Sequence, residues 1–183
     1  FTGGEGGPFD RYLVNLDIAA DACRRSGRAL WVIIQAGAWH PEEAIGTFQL
    51  RWQVGLCLAY GTRSIMHASY SKGWWDDSTA CVNASGAKNP MYDDVTTVNR
   101  EIHAVGTDYL KYRNTGVSVC GDLSSAHSRV RVQLERQALR PNEANLDAIA
   151  QVTSDAAILA GTFRDEQDSR ALLLVNTQNP WNP

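Results

Sequence analysis

Apolar residues follow two kinds of pattern along this chain. Phe9, Tyr12, Leu13, Leu16, Ala20 and Cys23 recur at three- and four-residue spacing, which predicts an amphipathic helix ended by Gly27. Ala29 to Gln35 then carries an unbroken apolar run, Leu30 to Ile34, that stops at an amide. A short continuous run of this kind predicts a strand buried on both faces, as in a parallel sheet covered by helices. On that reading Trp31 is a core residue facing a helix. After the turn at His40-Pro41, Glu42 and Glu43 suit a helix N-terminus, where acidic side chains meet the positive end of the dipole. That helix is expected to reach about Tyr60 and stop at Gly61. Arg63 to Tyr70 reads as a second strand, with Ile65, Met66 and Ala68 as its apolar body and His67 and Tyr70 near its end.

A loop rich in Trp, Asp, Ser and Gly follows, Ser71 to Lys88. Pro90 then suits the first turn of a long helix whose stripe is Tyr92, Val95, Val98, Ile102, Val105 and Tyr109. Helices alternating with apolar strands predict an α/β fold of βα units on a parallel sheet. After Arg113 the pattern changes. Val117 to Cys120 is a short strand candidate, and Val130, Val132 and Leu134 alternate with polar residues as in a half-exposed strand. Ala156 to Phe163 and Ala171 to Asn176 read as paired strands joined by the polar turn Arg164 to Arg170, and Asn142 to Ala150 as a short helix or a loop. The boundary is expected near Asn114-Thr115-Gly116, with a β-rich module over 114–183. Two parallel strands need neighbours, so the chain is expected to be part of a larger α/β protein.

At 183 residues and 44% hydrophobic, the chain can bury one substantial core. A net charge of -3 gives no electrostatic case for a nucleic-acid partner or an anionic membrane surface. The longest apolar runs are too short to span a bilayer. Cys23, Cys57, Cys81 and Cys120 are widely spaced, without a CxxC pair, so a zinc site is not expected, and Cys23 and Cys57 read as small core residues. Asn83-Ala84-Ser85 matches the glycosylation sequon and is read as a chance occurrence.

The candidate chemistry collects beyond the two strand ends. Gln35, Trp39 and His40 follow the first; His67, Tyr70, Lys72, Trp74, Trp75, Asp76 and Asp77 end or follow the second. Active sites of α/β barrels and open α/β sheets lie at this end of their strands. Indole and phenol rings stack on the apolar faces of sugars, and amides and imidazoles hydrogen-bond hydroxyls, so the mixture suits a carbohydrate cleft. Trp52 reads as packing, His103 and His127 as surface residues, and Asp76-Asp77 as a solvated loop. Gln35 stands apart, because a polar amide ending a buried strand needs a partner. The chain carries no Gly-rich phosphate loop, GxSxG or HExxH, and no convincing pair of carboxylates for glycoside hydrolysis.

The segment from Phe9 to Tyr112 resembles the last quarter of the (β/α)8 catalytic barrels of clan A glycoside hydrolases, and looks most like family 42 β-galactosidases and their unclassified relatives. The pieces that carry the likeness are WVIIQAGAW (Trp31 to Trp39), LAYGTRSIMHASY (Leu58 to Tyr70) and NPMYDDVTTVNREIHAVG (Asn89 to Gly106). ILAGTF (Ile158 to Phe163) and ALLLVNT (Ala171 to Thr177) are similar to the β-sandwich module that follows such barrels. The resemblance implies that 1–113 is the C-terminal portion of a TIM barrel and 114–183 the start of the sandwich. It implies hydrolysis of O-glycosidic bonds in an oligo- or polysaccharide, with no cofactor. Gln35, Trp39, His67, Tyr70 and Trp74 would contact the carbohydrate substrate. The family's seventh strand ends in a nucleophilic Glu, and Gln35 stands at the matching position. The general acid would lie upstream, so these residues alone are expected to be inactive. A non-catalytic carbohydrate-binding barrel and an unrelated barrel enzyme are the alternatives.

Overall fold

The computed structural model describes residues 11–68, 70–71, 73, 75–126, 128–138 and 154–178. Lys72, Trp74, His127 and 142–150 lie outside the described residues. The fold is mixed α/β, in the order α1 (Tyr12–Ser26), β1 (Leu30–Gln35), α2 (Thr47–Ala59), β2 (Thr62–Ala68), α3 (Pro90–Tyr109), β3 (Arg113–Cys120), α4 (Ser128–Ala138), β4 (Ile158–Arg164) and β5 (Arg170–Asn176). β1 and β2 form a parallel pair, while β3, β4 and β5 form an antiparallel sheet in that order. No closed barrel forms among the described residues.

α1 buries Leu13, Leu16 and Ala20 and ends at Gly27, whose left-handed φ of +67° would strain any residue with a Cβ. Backbone N–H groups of Gly27 and Arg28 cap the last carbonyls of this helix, at Arg24 and Cys23. α2 is the central element and is buried around most of its circumference, as a helix covered on several sides must be. It supplies Leu50, Trp52, Val54, Leu56 and Cys57 to a single hydrophobic core that also takes in Leu159 and Val175 of the antiparallel sheet. The core therefore runs across the expected boundary at 113/114. The closest approach is at Gly161 on β4, where an added Cβ would lie 2.3 Å from the carbonyl oxygen of Ala59. At that point the sheet rests on the end of α2. Asn114 reinforces the joint by donating to the carbonyls of Ala59, Gly116 and Thr162.

Three expectations are corrected. Glu42 and Glu43 do not begin α2; Pro41–Glu43 form an isolated 3-10 turn. The chain then extends through Gly46 before the helix starts at Thr47, with Gln49 Oε1 accepting the Gly46 N–H. Val130, Val132 and Leu134 belong to α4 and not to a strand. Trp31 is not in the core. It is 66% exposed, because β1 is covered by helices on one face only.

The register explains that exposure. Trp31, Ile33 and Gln35 pair with Ser64, Met66 and Ala68, and cross-strand partners share a face. The opposite face, with Leu30 and Ile34, is buried against the helices. Of the two cysteines expected in the core, Cys57 is fully buried and Cys23 half-buried. All four cysteines are free thiols.

Candidate functional site

The segments that leave the C-terminal ends of β1 and β2 are joined to each other. The hydroxyl of Thr79 accepts the N–H of Ala38 at 2.9 Å and lies 2.9 Å from its carbonyl oxygen, and the N–H of Asp76 donates to that same carbonyl. The indole rings of Trp39 and Trp75 meet at 4.9 Å between centroids, tilted by 49°. Trp39 nonetheless remains 56% exposed. The two post-strand loops thus form one rim on which exposed Trp39 rests against half-buried Trp75. Tyr70 stands two residues past β2 at the same end of the sheet, 62% exposed, its carbonyl accepting the Val82 N–H.

Gln35 ends β1 on the open face. Its Nε2 donates to the Gly37 carbonyl at 2.7 Å, which fixes the amide and leaves Oε1 as an available acceptor among the described residues. The strand end is held by Gln53 of α2, which accepts the Gln35 N–H with Oε1 and donates to the Gln35 carbonyl with Nε2. Gln53 is almost completely buried, and both of its polar ends serve this one backbone unit. A buried amide that satisfies a strand terminus is favourable because the unpaired backbone groups would otherwise cost free energy.

His67 does not join this set. Its register partner is Ile34, 2% exposed, so it lies on the helix-covered face, opposite Gln35. Its Nε2 is buried without a hydrogen-bond partner among the described residues, and burial lowers its pKa from the ordinary 6.5. The two neighbouring carboxylates are occupied as turn caps. Asp76 Oδ1 accepts from the N–H and hydroxyl of Ser78, and Asp77 Oδ1 from the N–H of Ala84. Among the described residues no group of three His, Cys, Asp or Glu is placed to hold a metal ion. No helix among them is long and apolar enough to cross a membrane.

Of the residues singled out from sequence, Gln35, Trp39 and Tyr70 share this end of the sheet. Trp75, collected with the residues that follow the second strand, pairs with Trp39, while Gln53 and Thr79 build the rim without having been candidates. The one signal for Gln53 is an amide set among the apolar positions Leu50, Val54 and Cys57. No family model matches the chain, and no curated protein matches it.

Proposed function

We propose that the rim binds a carbohydrate chain and that the protein is part of a (β/α)8 glycoside hydrolase acting on O-glycosidic bonds. The observation that carries this reading is exposed Trp39, paired with half-buried Trp75 at the joined C-terminal ends of two parallel strands, with the fixed amide of Gln35 ending the first of them. Trp39 offers a ring face for the C–H surface of a pyranose, while Gln35 Oε1 accepts from a sugar hydroxyl. Tyr70 extends the platform. The open face carrying Trp31, Ile33 and Met66 suits the inward-facing layers of a barrel, which further parallel strands would complete.

Binding without cleavage is the second reading, and two observations favour it. An amide, Gln35, ends the strand, and Asp76 and Asp77 each spend an oxygen capping turns. Glycoside hydrolysis normally uses a pair of carboxyl groups across the bond. Titration with soluble oligosaccharides, followed by tryptophan fluorescence, tests the shared part of both readings. Trp39→Ala is expected to weaken binding by roughly tenfold, the loss of one stacked ring. Oligosaccharides that neither bind nor perturb the fluorescence sink the carbohydrate reading. Aryl glycoside turnover by a protein carrying this chain with preceding βα units separates cleavage from binding alone.

A further inference from the structure

A concave site lies at the other pole of the parallel pair, where β1 and β2 begin. It is a cavity of about 370 Å³ between the end of α1 and the starts of β2 and β3. Arg24, Arg28, Arg63 and Arg113 line it, and no carboxylate does. Four arginines lining one hollow are unexpected in a chain whose net charge is -3.

Two of the four have structural employment. Arg63 donates to the carbonyls of Tyr112 and Leu110 at 2.7 and 2.8 Å, in the turn that follows α3. Arg24 donates to Asn114 Oδ1 at 2.8 Å and lies 3.8 Å from Asp21. The side chains of Arg28 and Arg113 make no hydrogen bond or ion pair among the described residues, and both are exposed. Helix-end carbonyls do not explain them. Those of α1 are capped by the Gly27 and Arg28 N–H groups, those of α3 at Gly106, Asp108 and Tyr109 by the N–H groups of Leu110, Lys111 and Tyr112, and the carbonyls just past α3 by Arg63. Like charges gathered in a hollow, where solvent screens them less than on a convex surface, raise the local potential and attract an anion.

We propose that this cavity binds a phosphate-type oxyanion, with Arg28 and Arg113 as its principal donors and Arg24 as the fixed wall. Guanidinium forks match the oxygens of a tetrahedral oxyanion, and the volume admits free phosphate or the head of a small phosphomonoester. Because Arg113 lies on β3 and Arg28 precedes β1, the anion would bridge the parallel pair and the antiparallel sheet. The site is independent of the carbohydrate rim and stands or falls without it.

Isothermal titration of the purified protein at constant ionic strength in chloride tests it, with inorganic phosphate in one arm and glycerol 3-phosphate in the other. Saturable binding of one ion per chain is expected, and the arm with the tighter affinity identifies the source. Arg28→Gln and Arg113→Gln should each weaken it by roughly tenfold, the loss of a charge-assisted bond. Arg25→Gln, which removes an arginine paired with Asp21 outside the cavity, should leave it unchanged. Neither Arg28 nor Arg113 supports the fold through a described side-chain bond, so far-UV circular dichroism should be unaltered in both variants. The proposal is overturned if neither anion binds above the chloride background. It is equally overturned if all three variants bind alike.

Discussion

His67 shows how one residue's position can be visible while its face is not. Its Nε2 is buried and lacks a partner among the described residues, so the folded state favours the neutral ring and the pKa is lowered from 6.5 by desolvation. The unfolded chain therefore binds a proton that the folded one resists, and stability rises with pH across this window. His67 is fully neutral in both states well above pH 6.5, where it imposes no penalty. Its destabilising effect grows as the pH falls below 6.5 toward the folded value. Urea midpoints measured from pH 7.5 to 5.5 should fall toward the acid end, and His67→Leu should flatten that trend. An unchanged slope in the variant would place the titrating group elsewhere. The amide of Gln35 was legible in the sequence because it interrupts an apolar run. Gln53 and Thr79 were not, because each looks ordinary among its neighbours and acquires its role from a loop or strand distant along the chain.

At the scale of elements, periodicity was a sound guide wherever the pattern was long. α1, α3, β1, β2 and the hairpin β4–β5 lie where the spacing predicted them, within a few residues. α4 shows the failure. Val130, Val132 and Leu134 alternate, but Val130 and Leu134 are also four apart, which is a helical repeat. Gln133 decides between the two. It is buried because its Oε1 accepts the free N–H of Leu13 in the first turn of α1 at 2.8 Å, a tertiary bond that local spacing cannot reveal. The joint between α2 and β4 is likewise invisible locally, since Gly161 reads only as a small residue in a strand. Gly161→Ala drives a Cβ to within 2.3 Å of the Ala59 carbonyl oxygen, so the sheet and helix must move apart. A loss of about 1–3 kcal/mol is expected in urea denaturation, the range for overpacking a tight contact. A loss below about 0.5 kcal/mol would mean that the antiparallel sheet is not held against α2 at this point.

For the whole molecule, the decisive feature is the asymmetry of the parallel pair. One face, with Leu30 and Ile34, rests on the helices, and the other presents Trp31 and Ile33 to solvent at 66% and 63% exposure beside Met66. The sequence could not separate these faces, because a strand buried on both sides and a strand with one open apolar face are the same unbroken run. Substitution separates them. Trp31→Ser and Ile33→Ser should each change stability by less than about 0.5 kcal/mol in this chain, as exposed positions do. Ile34→Ala, on the covered face, should cost about 2–5 kcal/mol. The serine variants should also reduce self-association in sedimentation velocity, since an open apolar face adheres to other copies. Joining the chain to preceding βα units reverses the expectation if the barrel reading holds. Trp31 and Ile33 would then pack in interior layers behind Gln35, and Trp31→Ser would become strongly destabilising. Indifference to Trp31→Ser in that longer protein would mean that the open face is not a barrel interior, whatever the rim at its end binds.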